Sequence, residues 1–561
     1  MRNPVGLYLT VALGIFQFVV PSATADTITH EWALGMGSPD SDAGQEIALD
    51  QNRSVYVVGY FQGTVDFDPG LQEHELTAVA EADAYVLKLN SDGKFQWVRQ
   101  VGGSGTEIPY ALELDADGNI YVAGTFTETA DFNPGAGTAN RTAKGDPDNF
   151  VLKLNSAGDF IWAKQLGGKT GQTYGLGSTL DGDGNIYLIG HFYGSVDFDP
   201  GDQKEKLESV GSSDIFIVKL DADGNLNWVN QIGSATSEFG SDLVVDLNGF
   251  VYVAGAFSST VDLDPGPDID VASTNGGYDS FVAKFDFNGN HIWSNAFGGT
   301  GDEIVRRLAL DNNRDVYASG RFDDSVVFNI EDAVTSQGGS DVFLIKLSSE
   351  TSSVIAADSM GGLDDEDTFA LCADNEGNAY VGGAFEGTAH FNPGPDTVQF
   401  DGAGGRDIFQ AKYLANGDFA WAFPIGGLEF DFCAAITVDT VGNTYCTGQF
   451  SDSVVFDPNP SFLAPLVSEG NTDLFVFKLN FFPNGSVSVK LKPKGARRAG
   501  AAWRLDNAPP WRKHKDLVND VSPGQHTIQF KAVSGHQTPT SKTINVDANE
   551  IESVTGKYKK N

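Results

Sequence analysis

The sequence predicts an all-β chain: a seven-bladed β-propeller closed by its own N-terminal strand, followed by a small β-sandwich. Three observations carry this expectation. Tryptophan recurs at Trp32, Trp97, Trp162, Trp228 and Trp293, a period near 65 residues, and Ala356 and Trp421 fill the next two slots. Each period holds two apolar runs meeting at an Asp/Gly/Asn turn, as in "ALELDADGNIYVAGTF" at Ala111–Phe126, then two more around a second turn in "NFVLKLNSAGDFIWAKQLGG" at Asn149–Gly168. After residue 30 no stretch has the 3.6-residue apolar period of an amphipathic helix.

The first 25 residues read as a secretory signal peptide. Arg2 supplies the charged end, Val5–Val20 is apolar, and Ala23-Thr24-Ala25 is a small-x-small cleavage site. No later segment is apolar for long enough to span a bilayer.

The propeller is assigned to residues 26–480. Four short antiparallel strands per repeat, with a glycine-rich link to the next, is how a blade is built. Runs such as "NIYVAG" and "DIFIVKL" are apolar throughout, as strands covered on both faces should be. The first copy begins in mid-blade with "EWALG" at Glu31–Gly35, and the last stops after "DLFVFKLN" at Asp473–Asn480. The N-terminal strand is therefore expected as the outermost strand of the last blade, leaving no free edge at the seam.

Residues 481–561 form a separate module. Short strand-like runs such as "SVSVKLKP" and "HTIQFKAV" suggest a sandwich of about 75 residues. The charge changes sign here: this tail carries a net +8 and the rest of the chain −48.

The "D-x-x-G-N-x-Y-V-x-G" hairpin at Asp115–Gly124, the repeated tryptophan and the "GG" after it resemble the bacterial SBBP β-propeller-repeat family over about residues 27–480. The tail, with "AGAAWRLD" and "VSPGQHTIQFKAVSGHQTP", is similar to PEGA-like modules of bacterial surface proteins. These resemblances imply an exported or cell-surface protein of a bacterium, one that binds or scaffolds and has no fixed chemistry.

Composition narrows the partners. The net charge of −40 argues against nucleic acid, which needs a basic footprint. An extracellular protein or glycan is the expected partner, and a monomer the expected state. Of the eight histidines none stands at metal-ligand spacing, and no nucleophile elbow or phosphate loop is present. No catalytic residue is singled out, so a non-catalytic protein is expected. The alternative is an extracellular polysaccharide hydrolase or lyase on a propeller fold. The three cysteines, Cys372, Cys433 and Cys446, read as small buried apolar residues, with Cys433 and Cys446 not directly opposite in the expected hairpin.

Calcium is the one cofactor the sequence suggests, because Asp-rich loops supply hard oxygen ligands outside the cell. The "DADGN"-type hairpin turns lack a downstream acid and read as turns, Asp and Asn bonding the backbone and Gly taking positive φ. The sharper candidate is "VDFDPG", at Val65–Gly70 and again at Val196–Gly201. Its copies keep an apolar slot (Phe67, Phe132, Phe198, Leu263, Phe328, Phe391, Phe456) and an Asx slot, but not the first carboxylate. Phe or Leu is expected to wedge between blades and Asx-Pro to start a turn. Only three copies keep both acids, so the candidate calcium ligands are Asp66, Asp68, Asp197, Asp199, Asp262 and Asp264. Topology places these loops and the "GGSGTE"-type links on one face, expected to be acidic through Glu107, Asp302, Glu303, Asp364, Asp365 and Glu366, and to receive the ligand.

Overall fold

The computed structural model describes residues 27–70, 72–328, 333–392, 397–457, 464–482, 485–506, 511–521, 524–546 and 551–561. The signal-peptide assignment and the loop positions Asn329, Pro393 and Gly394 lie outside them. The chain is all-β and propeller-like, with one short helix, Lys494–Arg498, among the described residues. None of the described helices is long and apolar enough to cross a membrane.

Each repeat is an antiparallel run of four strands. The first copy uses Ala43–Leu49, Val55–Phe61, Asp83–Leu89 and Phe95–Gly103, paired in that order. The hairpin turn between first and second strands is braced as its sequence predicts: Asp115 Oδ1 accepts the N–H groups of Asp117 (3.0 Å) and Asn119 (2.8 Å), and Gly118 sits at φ 79°. Burial pushes the equivalent Asp181 upward, but hydrogen bonds from Asn185 and Asp183 outweigh it and hold the carboxyl below its ordinary value. The strand Thr27–Met36 pairs antiparallel with Asp473–Phe482, so the first described strand joins the last sheet as expected.

The first strands of successive copies lie side by side, and Phe432–Val438 of the last copy packs beside Ala43–Leu49 of the first. The two ends of the series also share a hydrophobic cluster, in which Phe61, Phe67 and Tyr85 meet Met36, Leu474 and Val476. Phe67 is fully buried and contacts rings of its own sheet, Phe61 at 5.4 Å and Tyr85 at 4.9 Å. The apolar slot thus packs down onto its own second and third strands within a core shared with the neighbour. Burial of such a ring contributes about 1.5–3 kcal/mol.

The tryptophans join neighbouring copies. Trp97 meets Tyr56 edge-on at 6.2 Å and also reaches the outer hairpin of the next copy, where a Cβ on Gly158 would come within 3.1 Å of its ring. Gly158 has φ 79°, so glycine answers both the turn and the ring.

One cysteine expectation is corrected. Cys433 and Cys446 form a disulfide, and only Cys372 is free. A β-bulge between Cys433 and Ala435 shifts the register, pairing Cys433 with Gly448 and Ile436 with Cys446, so the two side chains meet across a diagonal that a regular hairpin would not offer.

In the tail, Leu517–Val521, Gly485–Lys492 and Ile551–Lys557 form one three-stranded sheet, and Trp503–Leu505, Gly524–Phe530 and Lys542–Val546 another. Val489, Leu491, Trp503, Ile528 and Val546 bury a common core between them.

Candidate functional site

The loop carboxylates singled out from sequence are used by the backbone. Asp66 Oδ1 accepts the N–H groups of Asp68 (3.0 Å) and His74 (2.8 Å), and Asp68 Oδ1 accepts from Gly70 (3.0 Å). Asp197 and Asp199 repeat this with Asp199, Glu205 and Gly201, and Asp262 and Asp264 with Asp264, Asp270 and Gly266. The first Asp therefore closes the loop eight residues ahead, a role hidden from sequence by its loss in the later copies. The three pairs sit in three different sheets. Among the described residues no three His, Cys, Asp or Glu side chains are grouped to hold a metal ion.

The link face is less acidic than expected. Asp364 and Asp365 are exposed, but Glu107, Glu303 and Glu366 are buried, with 0%, 0% and 1% of their surface accessible. They point into the seams between sheets. The cause is strand register: each begins a first strand, where the glycine link folds over its side chain.

What the same face does present is aromatic. The residue after each seam position stands at the mouth of the space enclosed by the first strands. Tyr174 stacks on His191 at 5.3 Å, His191 meets Phe239 edge-on at 4.8 Å, and Phe239 lies 5.5 Å from Tyr278. Burial pushes the His191 pKa down to about 4, so the ring is neutral at pH 7. Two copies are aligned closely here: a Cβ on Gly175 would fall 1.7 Å from the Tyr110 hydroxyl oxygen, so only glycine fits. A second aromatic group joins the sixth and seventh copies, with Phe432 lying 5.2 Å from Phe369 and 5.7 Å from Phe430. Arg306 covers Phe369 at 5.6 Å and is fixed by Asp367 at 2.9 Å. Leu363 and Leu428 stand exposed in the adjoining links.

Behind the mouth lies a cavity of about 350 Å³ to which the first strands of all the copies contribute. Its ionisable groups are Glu46, Glu113, Asp242 and Arg307. Arg307 approaches Glu46 at 3.5 Å and donates to the Phe369 carbonyl at 2.8 Å, which ties the cavity to the mouth. Burial pushes Glu46 up to about 7, against the pull of Arg307, and Glu113 up to about 8, helped by Glu46 and Asp242. Such carboxyls offer a ligand both donors and acceptors near neutral pH.

Neither the mouth nor the cavity was visible through motifs, because these positions are where the copies disagree. Ile108, Tyr174, Phe239, Ile304, Asp367 and Phe432 occupy one slot of otherwise matching strands. Variation at a fixed slot inside a regular repeat was the available signal.

Among known proteins, the SBBP beta-propeller repeat family matches residues 96–125. An uncharacterized WD repeat-containing protein, L264, of Acanthamoeba polyphaga mimivirus is 19% identical over 88% of this chain and 41% of its own length. Regulatory protein FlaEY of Caulobacter vibrioides is 24% identical over 36% of this chain and 21% of its own. The chain thus spans less than half of either relative. The crystal structure of the RRP9 WD40 repeats aligns over 81% of this chain and all of that one, at 10% identity and a TM-score of 0.41.

Proposed function

We propose that this protein is a secreted or cell-surface seven-bladed β-propeller with a small β-sandwich tail, acting as a non-catalytic binding protein for an extracellular glycan. The observation that carries the reading is the pair of aromatic groups at the cavity mouth, Tyr174–His191–Phe239–Tyr278 and Phe369–Phe432–Phe430. Fixed rings beside a few polar groups are the usual makeup of a small-molecule site, and their flat apolar faces match those of sugar rings. Export is supported by the Cys433–Cys446 bond, since disulfides persist in oxidising compartments.

A glycan array followed by calorimetry on the full chain tests this. Binding of a soluble oligosaccharide is expected, weakened at least tenfold by Tyr174→Ala or Phe432→Ala with Tm unchanged within about 2 °C, the shift a small surface change allows. Binding insensitive to both variants, or depolymerisation of the bound polysaccharide, would overturn it.

A further inference from the structure

At the junction between successive copies, the carboxyl that opens a third strand meets the carboxyl that opens the next first strand. The pairs are Asp83 with Glu107, Asp279 with Glu303, and Asp341 with Glu366. All six are 0–3% exposed. Each Asp leaves Oδ1 without a hydrogen-bond partner, Glu303 and Glu366 leave Oε1, and Glu107 leaves both oxygens. The two carboxyls share one glycine cradle: a Cβ on Gly298 would sit 2.2 Å from Asp279 Cγ, and one on Gly299 3.4 Å from Glu303 Oε1.

Among the described residues no lysine, arginine or histidine stands within ion-pair distance of these six carboxyls. Glu303 faces Asp279, Asp302 and Asp323, and Glu366 faces Asp341, Asp364 and Asp365. Arg321 lies 4.0 Å from Asp367 and Arg406 3.4 Å from Asp365. Two buried unneutralised carboxylates with empty acceptors facing one cradle would be costly, and one proton between them relieves the repulsion and pairs one orphaned oxygen of each carboxyl.

At the other junctions Asp214, Asp407 and Asp473 likewise leave Oδ1 without a partner, but the second acid is answered differently. Where the second acid is the shorter Asp42 or Asp431, its free oxygen takes a backbone N–H, from Gln62 at 2.8 Å or Ser451 at 3.0 Å. Glu238 is satisfied by the Ser234 hydroxyl at 2.5 Å. Where Thr173 replaces the acid, Asp148 has both oxygens bonded, by Gly145 at 2.9 Å and by Lys144 and Gln165 at 2.7 Å.

We propose that Asp83/Glu107, Asp279/Glu303 and Asp341/Glu366 are proton-sharing carboxyl clasps between neighbouring sheets, each carrying one proton and a net charge of −1, so that the protein loosens at these seams as the pH rises. Burial, more than the neighbouring acids, pushes Glu107 and Glu303 up to about 8 and Glu366 to about 9. A carboxyl raised in the folded state stabilises fully below its unfolded value, about 4.3, and that stability is lost as pH climbs through the folded value. The window is therefore pH 4.5 to 9, with greater stability on the acid side.

The test is thermal unfolding of the full chain across that window at fixed ionic strength, in chelator and in added calcium chloride. Tm is expected to fall on the order of 5 °C from the acid to the alkaline end, equally in both buffers. The triple variant Glu107→Gln, Glu303→Gln, Glu366→Gln should make the slope shallower, because an amide donates without titrating, and the remaining slope belongs to other buried carboxyls such as Glu46 and Glu113. Should the triple variant not fold, each single variant should remove part of the slope, and the infrared carbonyl band of protonated carboxyls at pH 7 should shrink in each. A flat wild-type profile, a slope undiminished in the variants, or a calcium-dependent rise in Tm lost in them would overturn the proposal, the last by placing a cation in the seam.

Discussion

The ammonium of Lys88 lies 4.6 Å from the centre of the Tyr56 ring, directly across the strand pair. The same Lys–Tyr pair recurs in every copy, at 4.6 to 5.2 Å, through to Lys478 and Tyr445. On the other side of Lys88 stands Trp97, so Tyr, Lys and Trp form one cross-strand ladder. The lysine also reaches sideways: Lys153, Lys219, Lys284 and Lys346 donate to carbonyls of the next copy's outer hairpin at 2.9 to 3.4 Å. One side chain thus holds its own sheet to its neighbour.

That geometry predicts unequal costs for removing the lysine. Lys346 is 2.8 Å from Asp311, with side chains 6% and 1% exposed, whereas Lys88 is 3.9 Å from Asp50 and both are 18% exposed. Lys346→Met leaves a buried carboxylate unpaired and should cost about 3 kcal/mol. Lys88→Met should cost about 1 kcal/mol. Urea unfolding of the two variants measures both, and equal costs would contradict the clamp.

The glycine that opens the link after the outer strand, as in the "GG" of Gly298-Gly299, should be intolerant of substitution. A Cβ on Gly298 would collide with the Asp279 carboxyl, while one on Gly182 would meet nothing within 4 Å. Gly298→Ala should destabilise by about 2 kcal/mol through overpacking, and Gly182→Ala should stay within about 0.5 kcal/mol of wild type. Comparative thermal melts decide it.

The contrast between these positions explains what the sequence could reveal. The tryptophan period and the Asp/Gly/Asn turns are local signals, and the strands, their order and the completing N-terminal strand follow from them. The seam acids were misplaced because "GGSGTE" has the composition of an exposed link, and only the register shows Glu107 turning inward. The lysines of the Lys–Tyr ladder were present in print, one near the end of each buried third strand, yet their partners stand on a strand about 32 residues away. The disulfide depended on a bulge at Cys433, which no spacing announces. The mouth depended on seven strands meeting in space.

The disulfide should be measurable in solution. Removing a bridge between residues 13 apart costs about 2–4 kcal/mol. Cys433→Ala with Cys446→Ala, or a strong reductant, should therefore lower Tm by several degrees, and Cys372→Ala should not reproduce it. Alkylation of the denatured, unreduced chain should label Cys372 alone, and labelling of all three would contradict the bond.

The carboxylates of "VDFDPG" can be assigned to turn or to calcium by one substitution pair. In the turn, Asp66 acts only as an acceptor for two backbone N–H groups, at 3.0 and 2.8 Å. Asn presents the same acceptor oxygen, so Asp66→Asn should stay within about 0.5 kcal/mol of wild type, and Asp66→Ala should lose about 1 kcal/mol. A calcium ligand obeys a different rule, because it needs the negative charge, and Asn would then fail nearly as badly as Ala. Melting each protein in chelator and in millimolar calcium separates the two. The expected result is an Asn variant close to wild type and no calcium-dependent shift in any of the three. A wild-type Tm that rises with calcium while both variants stay flat would return Asp66 and Asp68 to a metal site.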